Sequence, residues 1–227
     1  MRPENASLAS DVSRFKTEDK CRSYLEQLRW PDGVRCPRCD ARERISRIET
    51  RGQFDCDACG YQFSVRVGTV LQNSNLPLWK WFLAVYVMGQ SKDGVSASQL
   101  ERMLDVSYKT AWYLCHRIRA AMKDEASEEL RELADPGETV APDAVITESE
   151  AREQADADVG DVEPEWSIFV RSIGNSYHHL SAKHLPAYLD ETAFRYKNRD
   201  NEYLFRDTLL RLIGSEPMSY SDLIAAT

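Results

Sequence analysis

Four of the six cysteines stand as two close pairs, Cys36-Pro-Arg-Cys39 and Cys56-Asp-Ala-Cys59, with sixteen residues between them. Paired Cys-x-x-Cys units at this spacing are a metal-ligand pattern rather than a disulfide framework. Each pair makes a tight knuckle that aims two thiolates at one ion, and Gly60 supplies the positive φ that such a turn demands. The intervening segment must fold back as a hairpin to bring the knuckles together. A closed shell of Cys36, Cys39, Cys56 and Cys59 leaves no position for water, so the implied zinc is structural and not catalytic. Cys21 and Cys115 stand alone on apolar helical stripes, where a small buried thiol is the ordinary explanation.

The formal charge of −8 is unevenly spread. Residues 1–123 carry 20 Lys and Arg against 14 Asp and Glu, residues 124–165 carry 2 against 16, and residues 166–227 carry 7 against 7. A basic first half suits a phosphate-bearing partner, while the acidic stretch does not. No long apolar run appears, so the expectation is a soluble, cytoplasmic and nucleoid-associated chain with no membrane partner.

Apolar periodicity predicts a short helix from Thr17 to Leu28, stopped at Trp30-Pro31-Asp32-Gly33. Strands are expected at Arg44–Glu49, Gln53–Asp55 and Tyr61–Val67, making a three-stranded ribbon. An apolar helix follows Leu76-Pro77-Leu78. Then come Ser96–Met103, a turn over Leu104–Ser107, and a helix from Tyr108 to about Met122, the pattern of a helix-turn-helix. Ala111, Leu114, Cys115 and Ile118 form its inward stripe; Lys109, Thr110, Tyr113, Arg117 and Arg119 are assigned to its outward or flanking positions as DNA contacts. A helical hairpin with a solvated charged face is the competing reading of the same residues.

Residues 124–165 lack aromatics and cannot bury enough surface to fold alone. Asp143, Asp156, Asp158, Asp161 and Glu163 are candidate metal-binding carboxylates by residue type, but an acidic tether contains such residues by chance. Beyond Trp166, Ile168, Phe169 and Ile173 read as a strand or short helix, and two clear helices follow, around Leu185–Tyr196 and Leu204–Ile213. His178, His179 and His184 have no acid or cysteine at ligand spacing and receive no role.

Together, Arg29-Trp30-Pro31-Asp32-Gly33, both cysteine pairs, Val67-Gly68-Thr69, Leu76-Pro77-Leu78-Trp79-Lys80-Trp81-Phe82 and Val106-Ser107-Tyr108-Lys109-Thr110-Ala111-Trp112 resemble the amino-terminal half of a bacterial and archaeal insertion-sequence transposase family. Val162-Glu163, Trp166-Ser167, Ser176-Tyr177-His178-His179-Leu180-Ser181 and Ala193-Phe194-Arg195-Tyr196 resemble the last stretch of the same family's nuclease domain. That resemblance implies a zinc ribbon and helix-turn-helix followed by a DDE-type nuclease of RNase H fold. The family places two catalytic aspartates on strands where only residues 124–160 remain here, so the catalytic core is expected to be internally deleted, with Asp143 and Glu163 as relics.

The expected organisation is a flexible amino terminus (1–16), a helix plus four-cysteine zinc ribbon of α+β type (17–75), a helix-turn-helix (76–123), an acidic disordered linker (124–165) and a mainly α remnant of an RNase H-like domain (166–227). The leading expectation is a zinc-dependent binder of double-stranded DNA such as a transposon end, partnered by itself or by a full-length transposase, and lacking nuclease activity. The alternatives are an active transposase using Mg²⁺ to cleave and transfer strands, and a ribbon that binds protein.

Overall fold

The computed structural model describes residues 15, 17–123, 145–147, 149, 163–178 and 180–225. Their chain order is α1 (Glu18–Arg29), β1 (Ile45–Ile48), β2 (Gln53–Cys56), β3 (Tyr61–Phe63), α2 (Leu78–Gln90), α3 (Ala97–Leu104), α4 (Tyr108–Ala121), β4 (Val145–Ile146), α5 (Glu163–Ser172), a π-turn (Ile173–Tyr177), β5 (Leu180–Ser181), α6 (Leu185–Lys197), α7 (Leu204–Gly214) and α8 (Tyr220–Ala225). They form two compact units, one from residues up to Val85 together with 205–218, the other from 86–204 together with 219–227.

In the first unit, Thr17 caps α1 by accepting from the Lys20 N–H, and Cys21 and Leu25 are its fully buried positions. The antiparallel sheet has the order β1-β2-β3, with Ile45 opposite Cys56 and Phe54 opposite Phe63. Between β1 and β2 a 3-10 turn ends at Gly52 in the left-handed region, φ 57°. A Cβ there would meet only the guanidinium end of the flexible Arg22 side chain, so it is the positive φ that calls for glycine.

The ribbon core is small: Phe54 and Phe63 stack at 5.6 Å, and Trp30 meets both edge-on at 5.5 and 5.9 Å. Charged side chains tie the elements around it. Glu18 accepts the first amide of α2, Leu78 N, at 2.6 Å and pairs with Arg66 at 2.8 Å, while Arg66 donates to the Ser74 and Leu76 carbonyls. A carboxylate at a helix amino terminus is favoured by both the orphan N–H groups and the helix dipole. Arg47 from β1 binds Glu26 of α1 at 2.7 Å.

Two boundaries expected from sequence are corrected here. Phe15, placed in a flexible terminus, is buried, with its ring centroid 4.8 Å from Tyr24, 4.9 Å from Phe82 and 5.9 Å from Phe205. Phe205 brings most of α7 into this aromatic cluster, so α7 belongs with the ribbon unit rather than with a separate carboxyl-terminal remnant.

In the second unit, α3 opens with a reciprocal cap between Ser96 and Gln99, and Asp105 in the left-handed region ends it. Ser107 then caps α4 by accepting from Thr110 N at 3.3 Å. The helix pair therefore falls where periodicity places it, with a turn of Asp105–Ser107. Trp166, Phe169, Ile173, Leu185 and Leu189 build the core of α5 and α6. The segment around Ile168–Ile173 is helical, and His178 N closes a π-type hydrogen bond to the Ile173 carbonyl at 2.7 Å. Inside the expected linker, β4 pairs antiparallel with β5, Val145 opposite Ser181. Residues 124–144, 148 and 150–162 of that segment lie outside the described set. The architecture is thus a zinc-ribbon sheet with an α-helical remainder.

Candidate metal centre

The sheet register places the four thiols. β2 ends on Cys56 and β3 starts at Tyr61, so the second knuckle is itself the β2–β3 turn. Its Gly60 N–H reaches back to the Cys56 carbonyl at 2.7 Å, with Gly60 at φ 66°. The first knuckle repeats this geometry: Asp40 N–H donates to the Cys36 carbonyl at 3.0 Å, with Asp40 at φ 63°. An aspartate tolerates that conformation better than most residues, and its carboxylate pairs with Arg35 at 2.6 Å.

All four Sγ atoms lie within 4.8 Å of one another. Cys36 and Cys59 are 3.7 Å apart and Cys39 and Cys56 are 3.6 Å apart, each contact joining one knuckle to the other. These distances far exceed a disulfide bond of about 2.05 Å. They match the edge of about 3.75 Å for a tetrahedron of sulfurs set about 2.3 Å from a central zinc. Burial raises the Cys36 thiol, but backbone N–H donors from Arg38 and Cys39 outweigh it and draw it down to about 7. Cys59 is pushed the other way, to about 12, by desolvation and its thiol neighbours. One thiolate thus forms readily while a second is opposed, and a bound dication is what allows all four to ionise. The four cysteines are the ligands of a structural zinc. Among the described residues they are also the one cluster of three or more metal-ligating side chains.

The expected DNA contacts separate into two groups. Lys109 is exposed at the start of α4 and Tyr108 beside it is 52% exposed; Thr110 and Tyr113 are half-buried. Arg117 and Arg119, assigned to outward or flanking positions, are each 1% exposed. The correction has a physical reason: α4 packs against α3 and also against α6, so its second half has no solvent face. Arg119 Nε pairs with Glu191 of α6 at 2.6 Å, its Nη2 donates to the Val95 carbonyl, and its guanidinium lies 3.9 Å from the Tyr188 ring centroid. Burial opposes its charge, but Tyr188 and Glu191 more than offset this and hold it well above the ordinary arginine range. Arg117 sits 4.9 Å from the Tyr113 ring.

Glu191 is the centre of this interior. It also accepts from the Tyr177 hydroxyl at 3.0 Å and forms an ion pair with Arg195 at 3.4 Å, while Arg195 donates its hydrogen bonds to the Ser91 and Lys92 carbonyls. Sequence reasoning missed Glu191, Arg195 and Tyr177, since nothing in their local spacing links them to α4. His116 is likewise interior, its ring 4.2 Å from Trp112 and 4.8 Å from His184; burial, then Arg119 and His184, pull it down to about 2. Glu163 is the first residue of α5, whereas Asp143, Asp156, Asp158 and Asp161 lie outside the described residues.

No described helix is long and apolar enough to cross a membrane. Residues 16–62 match the transposase zinc-ribbon domain family of IS1595 type, a span that contains all four cysteines. The chain is also similar to a protein of Halobacterium salinarum described as uncharacterized and lying in transposable element ISH50, with 34% identity over 113 residues. That match takes in 49% of this chain and 38% of the relative, so the chain spans well under half of the relative's length. No solved structure matches the chain. The ribbon geometry and the family match describe a zinc-binding ribbon of the kind found in insertion-sequence transposases, over residues 16–62 of this chain.

Proposed function

We propose that the chain is a zinc-dependent DNA-binding protein that reads duplex DNA, such as a transposon end, with the first turns of α4, and that it carries no nuclease of its own. The observation that carries this reading is the exposure of Tyr108 and Lys109 at the amino-terminal end of the second helix of a tight helix pair, while positions 114–119 are buried. A recognition helix touches base edges with its amino-terminal residues. Lys109, Thr110 and Tyr113 remain as the contact set; Arg119 instead ties the helix to α6, and Arg117 is buried against Tyr113 of its own helix. The match of the ribbon to a transposase zinc-ribbon family, and the likeness to a protein of a transposable element, support DNA as the partner.

The absence of a nuclease rests on the length available. A DDE-type core needs on the order of a hundred residues of ordinary domain length between the helix pair and α5, and only residues 122–162 stand there. Fluorescence anisotropy with duplexes carrying the terminal inverted repeats next to the coding region tests the binding. Lys109→Glu should weaken it and reduce the salt slope by about one phosphate contact. Unchanged affinity and slope in that variant would remove α4 as the reading element. A strand-transfer assay with Mg²⁺ tests the second part: product that disappears in Asp143→Asn would show an active transposase.

One observation favours a second reading for the ribbon itself. Residues 31–63 carry six arginines and six acids, so the ribbon's charges cancel, and the basic excess of the first half lies in residues 64–123 with 8 against 3. A neutral ribbon suits a protein partner, a second copy of this chain or a full-length transposase, better than a phosphate backbone. Changing exposed Arg42 and Arg44 to Glu separates the two: loss of DNA affinity places the ribbon on DNA, while loss of self-association at unchanged DNA affinity places it on protein.

A further inference from the structure

The face of α4 that is left open for DNA is not bare. The chain returns to it in α8, a six-residue helix. The Tyr220 ring centroid lies 4.4 Å from the Lys109 ammonium, 5.9 Å from the Tyr113 ring and 6.2 Å from the Trp112 ring. One side chain of α8 therefore lies against two residues of the reading face, Lys109 and Tyr113, and against their neighbour Trp112; Lys109 stays exposed but directs its ammonium at an aromatic ring.

The same helix is built to come away. Its start is capped internally, Ser219 N donating to Asp222 at 2.6 Å and Asp222 N donating to Ser219 Oγ at 3.2 Å, so it needs no partner to close its first turn. Leu223 is its buried anchor, Tyr220 is still 38% exposed, and Ser219, Ser221 and Asp222 are exposed. Residues 216–219, which lead into it and include Pro217, have no regular structure, so the connection can swing without breaking an element.

We infer that α8 is an autoinhibitory latch: it occupies the α4 reading face in the free protein, and DNA must displace it. This rests on the assignment of α4 as the reading element. A two-anchor contact of this size lowers the binding-competent fraction modestly, so releasing it should tighten DNA binding by about tenfold.

The test uses the full zinc-loaded chain and a short fluorescein-labelled duplex of mixed sequence at low salt. Tyr220→Ala and, independently, Leu223→Asp should each bind about tenfold tighter than the parent chain, whereas Tyr220→Phe, which keeps the ring, should bind as the parent does. Zinc content and thermal melting matched to the parent certify the fold of each variant. Hydrogen exchange supplies a readout without mutation: the amides of residues 223–225, the part of α8 past its first turn, should exchange faster once the duplex is added. If the release variants bind no tighter, or more weakly, while Lys109→Glu still weakens the parent, the latch is wrong and α4 remains the reader. If neither the parent nor the released chains bind duplex, the DNA assignment falls and the latch falls with it.

Discussion

The two units solve the same problem, a small interior, in opposite ways. The ribbon unit has a minor apolar cluster around Phe54, Phe63 and Trp30 and is held by four cysteines around one ion. The helical unit has a full apolar core and then buries charge inside it, with Glu191 at 0%, Arg119 at 1% and Arg195 at 6% exposure. Zinc contributes folding free energy outright, because the site exists only when the chain is folded. A buried ion group contributes little net energy, since desolvation offsets its attraction, yet removing one partner leaves the others stranded. The first device is needed for the unit to exist; the second fixes how α4 sits against α6.

The largest expected effect separates the devices directly. Cys39→Ser, or chelation of the parent chain, should abolish a contribution on the order of 10–16 kcal/mol and unfold the ribbon, collapsing its dispersed amide NMR signals while those of α4 and α6 persist. A ribbon that kept its dispersion after chelation would show that the thiols pack without a metal.

Next in size is Glu191→Ala, which leaves Arg119 and Arg195 buried without their carboxylate. A loss of about 3–5 kcal/mol is expected in urea unfolding followed by signals of the helical unit. The comparison sharpens if Glu191→Leu is combined with Arg119→Met and Arg195→Met: an apolar trio should recover most of the loss, as no apolar replacement could at the zinc site.

Acid should also distinguish the units. His116 binds its proton far less readily when folded, near pH 2, than when unfolded, near 6.5. The unfolded chain therefore takes up the extra proton, so the stabilising contribution is complete above about pH 6.5 and erodes by up to about 1.4 kcal/mol per pH unit below it. Urea midpoints of the helical unit between pH 7 and 5 should fall accordingly, and His116→Phe should flatten that slope. An unchanged slope would mean that His116 stays neutral in both states or is not interior.

The smallest effect concerns the end of a helix. Ser107→Ala removes the oxygen that accepts from Thr110 N and should cost about 1 kcal/mol, read as a lower thermal midpoint of the helical unit with the ribbon signals untouched. A drop several times larger would show that the turn between α3 and α4 governs the whole unit.

How much of this was legible in advance follows from the range of each interaction. The zinc ligands were readable because Cys-x-x-Cys sets two of them within one turn of chain and the hairpin between the pairs is short. The α3–α4 pair was readable because apolar periodicity acts within a few residues; the caps at Ser96, Gln99 and Ser107, which the structure adds, are equally local. Arg117 and Arg119 misled for the same reason. A local reading counts a charged residue near the end of a stripe as solvated, and the carboxylate that draws Arg119 inside lies 72 residues away at Glu191. Phe15 and Phe205 carried no local signal either, though their rings meet in one cluster.

The sequence by itself determined the four zinc ligands, the three strands between and after them, and the helices that periodicity defines, because those depend on chemistry within a turn or a hairpin. Only the tertiary structure decided that the two arginines of α4 are internal, that α7 packs with the ribbon unit, and that α8 lies on Lys109, Trp112 and Tyr113. Each of these depends on which distant surfaces exclude water together, and burial of that kind leaves no trace in the spacing of neighbouring residues.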